Sequence, residues 1–309
     1  MHWTGKINNN SGFRPTALWS QSAKQLGSSF ITCLFMMSTD ISVTVIVNNV
    51  AHPPLVEEHG LALLIESNGQ RILFDTGAGV ALLPNLKTLG IAPATIDRIV
   101  LSHGHNDHTG GVHLLPERPL YFVPGIAKQR YSFRNGERHD LSMPSQGMAR
   151  LNGQFARPIV MFTESLPNLF LTGPIPRISG EDCGGNFFQD ENGTLPDTIH
   201  DEQALLLNTI LFPGCCHAGI INTIEFCRKM LPKRKITTII GGLHLRSASE
   251  ERLRQTANYL CHRQIRKMYL LHCTGDIAIT RLQQLMPECK IRTLRAGEKI
   301  LLHSPFPQR

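Results

Sequence analysis

No run of apolar residues in this 309-residue chain approaches the ~18 that a membrane-spanning helix requires, so a helical membrane span drops out of the reading. The longest N-terminal candidate, Phe30 to Met37, is broken by Thr32. A signal peptide fits poorly there, because the stretch before it is long and rich in Asn and Ser. No small-x-small cleavage site follows Met37 before the charged Asp40. Residues 1–38 are therefore expected to be an extension outside the fold, either disordered or the product of a start placed upstream of a true one near Met36 or Met37. Cys-x-x-Cys pairs are also lacking among the eight cysteines, and a chain that is 41% hydrophobic is too core-rich to need a disulfide framework. Reduced thiols in a cytoplasm are the simplest expectation. Despite a net charge of +7 and a pI near 9.1, the chain has no continuous basic stripe. Its one dense run, Arg228 to Lys235, reads as the solvated end of a helix rather than a grip on nucleic acid. What the charge does favour is an anionic small-molecule substrate. Internal repeats are absent, and nothing in the sequence fixes an oligomeric state.

What is present is a succession of β-runs that end in polar loops. Ile41 to Val47 alternates β-branched residues, and a loop rich in Pro and His leads from it to a second strand over His59 to Glu66. Asn68-Gly69 closes a hairpin onto Arg71 to Phe74, which ends at Asp75-Thr76-Gly77. A helix is expected over Ala81 to Leu89, and Ile96 to Leu101 forms a buried strand running into Ser102-His103. Between Tyr131 and Pro196 the periodicity fades, leaving short strand-like pieces at Pro158 to Phe162 and Leu169 to Leu171, as expected of a loop-rich segment that covers a site. Order returns with one strand over Ala204 to Phe212, a helix from about Ile221 to Met230, a strand over Ile236 to Ile240 and a helix over Ser249 to His262. Lys267 to Leu271 reads as the last core strand. Four of these runs deliver a histidine at their carboxyl ends, where open α/β sheets place ligands.

The densest chemistry is His103-Gly104-His105-Asn106-Asp107-His108. Divalent ions such as zinc prefer imidazole nitrogen and carboxylate oxygen, and ligands two residues apart on an irregular loop can face one ion while the side chains between them point away. His103 and His105 are candidate ligands of one ion, Asp107 and His108 of a second. Thr109-Gly110-Gly111 lets the chain turn into a helix expected to start near Val112. Six residues supply too few ligands for two ions, and His217 and His272, each at a strand end with glycine close by, are the natural complement. His244 is a candidate pocket residue with a catalytic role; a structural role competes. His113 reads as structural, and His52, His59, His139, His200, His262 and His303 carry no spacing signal. Asp75 is placed either to accept the free N–H of a metal-bound imidazole or to cap the next turn. Cys215 is either a thiolate ligand or a small buried filler.

These residues resemble the metallo-β-lactamase superfamily: Phe74-Asp75-Thr76-Gly77 is similar to its first motif and His103 to His108 to its metal-binding motif. Within it, the run Leu101 to Gly111 is similar to the dihydropterin ribofuranosyl-aminobenzene phosphate synthase-like branch. So are Gly173-Pro174-Ile175-Pro176-Arg177, Asp201-Glu202-Gln203-Ala204-Leu205, Gly214 to Ile220, Gly241 to Leu245 and His272 to Gly275. The resemblance extends from about Ile41 to Ile300 and implies an α/β fold, an αββα sandwich of two mixed sheets flanked by helices over residues 39–309, with its metal site at one edge of the sheets. Two departures stand out: Gly214-Cys215 replaces the superfamily's Gly-Asp pair, which carries the bridging carboxylate, and Cys216 stands where the branch more often has Ser.

Three functions compete on this reading. The first is a metal-dependent hydrolase using Zn2+, with Mn2+ or Fe2+ as alternatives, in which one or two ions activate water and Asp107 is a ligand or a proton acceptor. The second is a transferase condensing a phosphoribosyl compound with a pterin or aminobenzoate acceptor, as the branch name implies. The third is a non-catalytic binding or sensing protein on the same scaffold.

Overall fold

The structure, a computed structural model, describes residue 2 and residues 39–181 and 185–304. The expected N-terminal extension, apart from His2, and Cys33 and Cys183 lie outside the described residues. In chain order, strands β1 (Thr39–Val47), β2 (Ala62–Ser67) and β3 (Gln70–Phe74) precede helix α1 (Leu82–Thr88), β4 (Arg98–Val100), the single turn α2 (Asn106–Thr109) and β5 (Leu120–Phe122). The middle of the chain supplies β6 (Tyr131–Arg134), β7 (Glu137–Asp140), α3 (Ser145–Met148), β8 (Ala156–Pro158), β9 (Thr163–Leu166), β10 (Leu169–Leu171) and β11 (Phe187–Phe188). The rest contributes β12 (Leu205–Leu207), β13 (Ile210–Phe212), α4 (Ile220–Met230), β14 (Thr238–Gly241), α5 (Glu250–His262), β15 (Lys267–Leu270), α6 (Asp276–Leu285), β16 (Lys290–Thr293) and β17 (Lys299–Ser304).

Two seven-stranded mixed sheets carry the fold. One runs β17-β1-β2-β3-β4-β5-β8, antiparallel through β3 and parallel beyond it. The other runs β16-β15-β14-β13-β12-β10-β9, parallel up to β13 and then antiparallel. The alternation of side chains along β2 shows how the layers stack. Leu63 and Ile65 point into a core shared with Leu205, Leu207 and Phe212 of the second sheet, whereas Ala62 and Leu64 pack on Leu82 and Leu86 of α1. A strand buried on both faces must be apolar at almost every position, and Ala-Leu-Leu-Ile is. Phe74 and Phe212 meet across the two sheets with ring centroids 6.3 Å apart. On the outer face of the second sheet, α4, α5 and α6 cover a third core through Ile224, Leu260 and Leu282. The order helix, sheet, sheet, helix is the expected αββα sandwich, and every fully buried Leu or Ile in it contributes roughly 1.5–3 kcal/mol.

Helix α5 starts as its sequence dictates: the Ser249 side chain accepts from Arg252 N, and Glu250 and Glu251 occupy the first turn. Four expectations need correction. The single strand over Ala204 to Phe212 is a hairpin, β12 and β13, turning at Asn208 with φ +54°, a left-handed conformation that Asn tolerates better than most residues. The helix from Val112 is one 3-10 turn over Val112–Leu114, because Pro116 forces Leu115 into an extended conformation. The segment from Tyr131 to Pro196 is less irregular than its composition suggests: β8, β9 and β10 extend the main sheets, while β6, β7 and β11 form a small sheet of their own. Finally, Lys267–Leu270 is not the last strand, since β16 and β17 close the far edges of the two sheets. Among the described residues, no helix is long and apolar enough to cross a membrane.

Candidate metal centre

The site forms where strand ends of both sheets meet. From the first sheet, β3 delivers Asp75 and β4 delivers Ser102 and His103; α2 then carries Asp107 and His108. From the second, β13 leads to Cys215 and His217, β14 to His244 and β15 to His272. The loop turns sharply at Gly104, where a Cβ would overlap the Arg130 guanidinium and the backbone carbonyl of Ile126. Gly104→Ala is therefore expected to cost about 1–3 kcal/mol through overpacking, as a thermal or denaturant melt would measure.

Five imidazoles cluster with ring centroids 4.3 to 5.0 Å apart: His103, His105, His108, His217 and His272. His244 adds a sixth ring 4.3 Å from His217. His103, His105, His217 and His272 are buried, and no protein atom accepts from or donates to His103 Nε2, His105 Nε2 or either ring nitrogen of His217. An orphaned buried nitrogen costs on the order of 1–3 kcal/mol, so an array of them needs a ligand to justify it. Burial lowers the His105 pKa to about 3 against the pull of Asp107, and it holds His103 and His217 well below the ordinary histidine value, with neighbouring imidazoles adding to the effect. All three rings are neutral at neutral pH, the form that donates a lone pair to a metal.

The second half of the cluster is held by hydrogen bonds. Asp75 is fully buried and accepts from Ser102 N and Ser102 Oγ, each at 2.7 Å, and from His108 Nδ1 at 2.7 Å. Burial opposes protonation of His108, but Asp107 and Asp75 outweigh it and raise its pKa to about 9. The His108 Nε2 atom faces Cys215 Sγ at 3.1 Å. His272 is oriented by Asn49, whose Oδ1 lies 2.8 Å from Nδ1, and points Nε2 at Asp107 Oδ2, 3.3 Å away. The Asp107 carboxylate is held below the ordinary range: burial works against this, and His108 and His272 prevail.

Potential ligand atoms lying within 4.8 Å of one another form three groups: His103, Cys215 and His217; His108, Cys215 and His272; and His59, Asp107 and His272. Cys215 belongs to two of them, so its sulfur stands where a bridging group would. Burial raises its thiol pKa well above the ordinary value, and a divalent cation beside it would remove that proton. The donor set of imidazoles, carboxylate and thiol thus fits one or two divalent ions, with the orphaned nitrogens as its least ambiguous part.

All six sequence-derived ligand candidates, His103, His105, Asp107, His108, His217 and His272, come together here, and His244 lines the same cavity. That cavity, of about 670 Å³, is also lined by residues without a signal in the sequence, notably His59, Phe133, Arg134, Phe187 and Arg246. His59 Nε2 lies 3.3 Å from Asp107 Oδ2. Its one local hint is Gly60, whose missing Cβ admits the Asp107 carbonyl. Phe187, from the small sheet, packs against His105 at a tilt and against His217 edge-to-face, with centroids 4.9 and 5.2 Å away.

Histidines and an aspartate gathered at the strand ends of a two-sheet sandwich form groups that could hold a metal ion, and sequence comparison gives the class: residues 55–215 match the Metallo-beta-lactamase superfamily. The chain belongs to that superfamily. It is 33% identical over 274 residues to 7,8-dihydropterin-6-methyl-4-(beta-D-ribofuranosyl)-aminobenzene-5'-phosphate synthase of Methanocaldococcus jannaschii, covering 80% of this chain and 91% of that one. A second protein of the same organism, MJ0448, is 28% identical over 254 residues, with 79% and 94% covered. Among solved structures, Tm1679, described as a metal-dependent hydrolase of the beta-lactamase superfamily, superposes with a TM-score of 0.74 at 26% identity, over 85% of this chain and 99% of that one. The branch resemblance read from the motifs agrees with the first of these relatives.

Proposed function

We propose that this protein is a metal-dependent hydrolase of anionic small molecules, and the observation that carries the reading is the set of orphaned, neutral imidazole nitrogens at the floor of a cavity lined by two arginines. His103, His105 and His217 would hold one ion; Asp107, His108 and His272 would hold a second, with Cys215 between them. Zinc suits this donor set, and manganese or iron are the alternatives. Such an ion supplies Lewis acidity and makes water a stronger nucleophile near neutral pH.

The chain's own residues do the rest. Arg134 on β6 and Arg246 beyond β14 come from separate elements and attract a negatively charged substrate into the cavity. Phe187 covers His105 and His217 and limits the access of bulk water to them. With one ion bound, Asp107 would be placed to accept a proton from the attacking water; with two, it would be a ligand. His244, beside His217 on the cavity wall, exchanges a proton with the departing oxygen. Among the described residues, Cys215, Cys227, Cys261, Cys273 and Cys289 form no disulfide, which fits a reducing, cytoplasmic setting.

Metal analysis of the purified protein, combined with a screen of phosphodiesters, lactones and thioesters, tests the proposal. Bound zinc with turnover of one class is the expected result, and a metal-free protein inert on all three would return the chain to the binding reading. In the same assay, Arg246→Ala should raise KM roughly 10- to 150-fold and leave kcat nearly unchanged, because a charged hydrogen bond of about 1.5–3 kcal/mol to the bound substrate is lost.

A second reading rests on the 33% identity to the synthase. It keeps the metal and replaces hydrolysis by condensation of a phosphoribosyl compound with a pterin or aminobenzoate acceptor. Release of pyrophosphate in the presence of such an acceptor would select it.

A further inference from the structure

Two of the motifs shared with the synthase-like branch, Gly173 to Arg177 and Asp201 to Leu205, place none of their residues against the metal-facing cavity. Their hydrogen bonds show where they act. Asp201 Oδ2 accepts from Gly104 N at 2.9 Å, in the middle of the His103-Gly104-His105 loop. The next residue, Glu202, accepts from His217 N at 2.5 Å and from Ala218 N. Gln203 completes the segment by donating from its backbone to Ser102 O at 2.8 Å and from Nε2 to Leu101 O at 2.9 Å. Three consecutive side chains thus reach two loops that belong to different sheets. Behind them, the fully buried Arg130 pairs with Asp201 and, at 2.7 Å, with Asp197. On the far side of His217, Arg177 donates to its carbonyl and to that of Thr198.

We infer that Asp201 and Glu202, backed by Arg130 and Arg177, are positioning residues that set the distance between the His103/His105 loop and His217, so that three imidazoles from two sheets converge on one ion. This rests on the assignment of those histidines to one ion. The reasoning is geometric. His103 and His105 follow β4 of one sheet and His217 follows β13 of the other, and among the described residues no strand pairing joins the two sheets to fix the gap. Adjacent carboxylate residues, each gripping a different loop, make that gap a property of one short segment. Glu202 and Asp201 are only 1% and 3% exposed, and burying two carboxylates is costly; the N–H groups of Gly104, His217 and Ala218 and the Arg130 ion pair offset that cost in part, burial still raising both carboxyl pKa values. Outer partners of metal ligands of this kind typically change metal affinity about 10- to 100-fold when altered.

The test is a double-mutant cycle on Glu202→Gln and His217→Ala, reading zinc affinity by chelator competition and the visible spectrum of the cobalt-substituted protein, with circular dichroism to establish folding. An amide oxygen can take one of the two N–H bonds while its NH2 group repels the other, so E202Q alone should weaken zinc about 10- to 100-fold and shift the cobalt bands. In the His217→Ala background the same change should cost less than about twofold, since there is no imidazole left to position. Equal losses in both backgrounds would show a general effect on the fold and overturn the inference, as would a folded E202Q with wild-type affinity. Should E202Q fail to fold, Arg177→Gln, which releases the His217 carbonyl, carries the same pair of expectations. Failure of the underlying metal assignment looks different, because wild-type protein would then bind no zinc.

Discussion

Replacing His105 by alanine removes zinc and turnover together and leaves a folded protein. The expected size follows from the ligand count. A four-ligand zinc site is worth on the order of 10–16 kcal/mol, so losing one ligand costs about 3 kcal/mol or more, at least a hundredfold in affinity. What makes His105 informative is the state of its ring without metal. It is neutral, with its pKa near 3, and Nε2 has no protein partner, so the substitution breaks no ion pair. The imidazole packs against the rings of His103, His217 and Phe187, and alanine gives up that packing. Against this loss stands the removal of a buried, unsatisfied nitrogen that costs about 1–3 kcal/mol. The two nearly offset, and chelator-treated H105A should melt within a few degrees of chelator-treated wild type. Elemental analysis and a melt on the same sample decide the matter; wild-type zinc content in folded H105A would sink the assignment.

How much of the site is legible in the sequence depends on distance along the chain. His103 to His108 announces itself because its ligands lie within six residues, and His217 and His272 can be added because they end strands of the same polarity. His59 and Arg246 cannot be, since their place against the site is fixed only when sheet meets sheet. Asp201 and Glu202 are visible as a motif but not as a device, because the groups they hold at the two loops are backbone N–H groups, which leave no trace in side-chain pattern. The missed elements have local causes too. In β16 only Ile291 is buried, so the strand shows almost no apolar signal. Helix α6 buries Ala278, Ile279 and Leu282 yet leaves Ile277 82% exposed, and an apolar residue on the outer face blurs the helical period. The hairpin of β12 and β13 is hidden by the opposite problem: both strands are wholly buried, and Asn208 with Thr209 is a weak interruption of a long apolar run.

Asp75→Ala should produce the largest loss of stability of any substitution near the site. Asp75 sits at φ +61°, where an alanine pays roughly 1–2 kcal/mol that Asp or Asn largely avoids. It also accepts from His108 Nδ1 and from both Ser102 donors, all in a fully buried setting. Breaking a buried charged pair by removing one partner costs about 3–5 kcal/mol. At about 2–4 °C per kcal/mol for a domain of this size, the combined loss of about 4–7 kcal/mol should lower the melting temperature by roughly 8–28 °C. Asp75→Asn separates the two roles that this carboxylate combines. Asparagine keeps the left-handed backbone and the shape, so most of the stability should return. Yet its amide presents N–H to Nδ1, so when His108, doubly protonated at neutral pH with its pKa near 9, gives up one proton to bind metal, the one it keeps is driven to Nε2, the atom facing Cys215 Sγ. That nitrogen can no longer offer a lone pair, and metal affinity should fall about 10- to 100-fold while the fold persists. An Asn variant that recovers both stability and zinc would mean that Asp75 serves only to anchor the turn after β3.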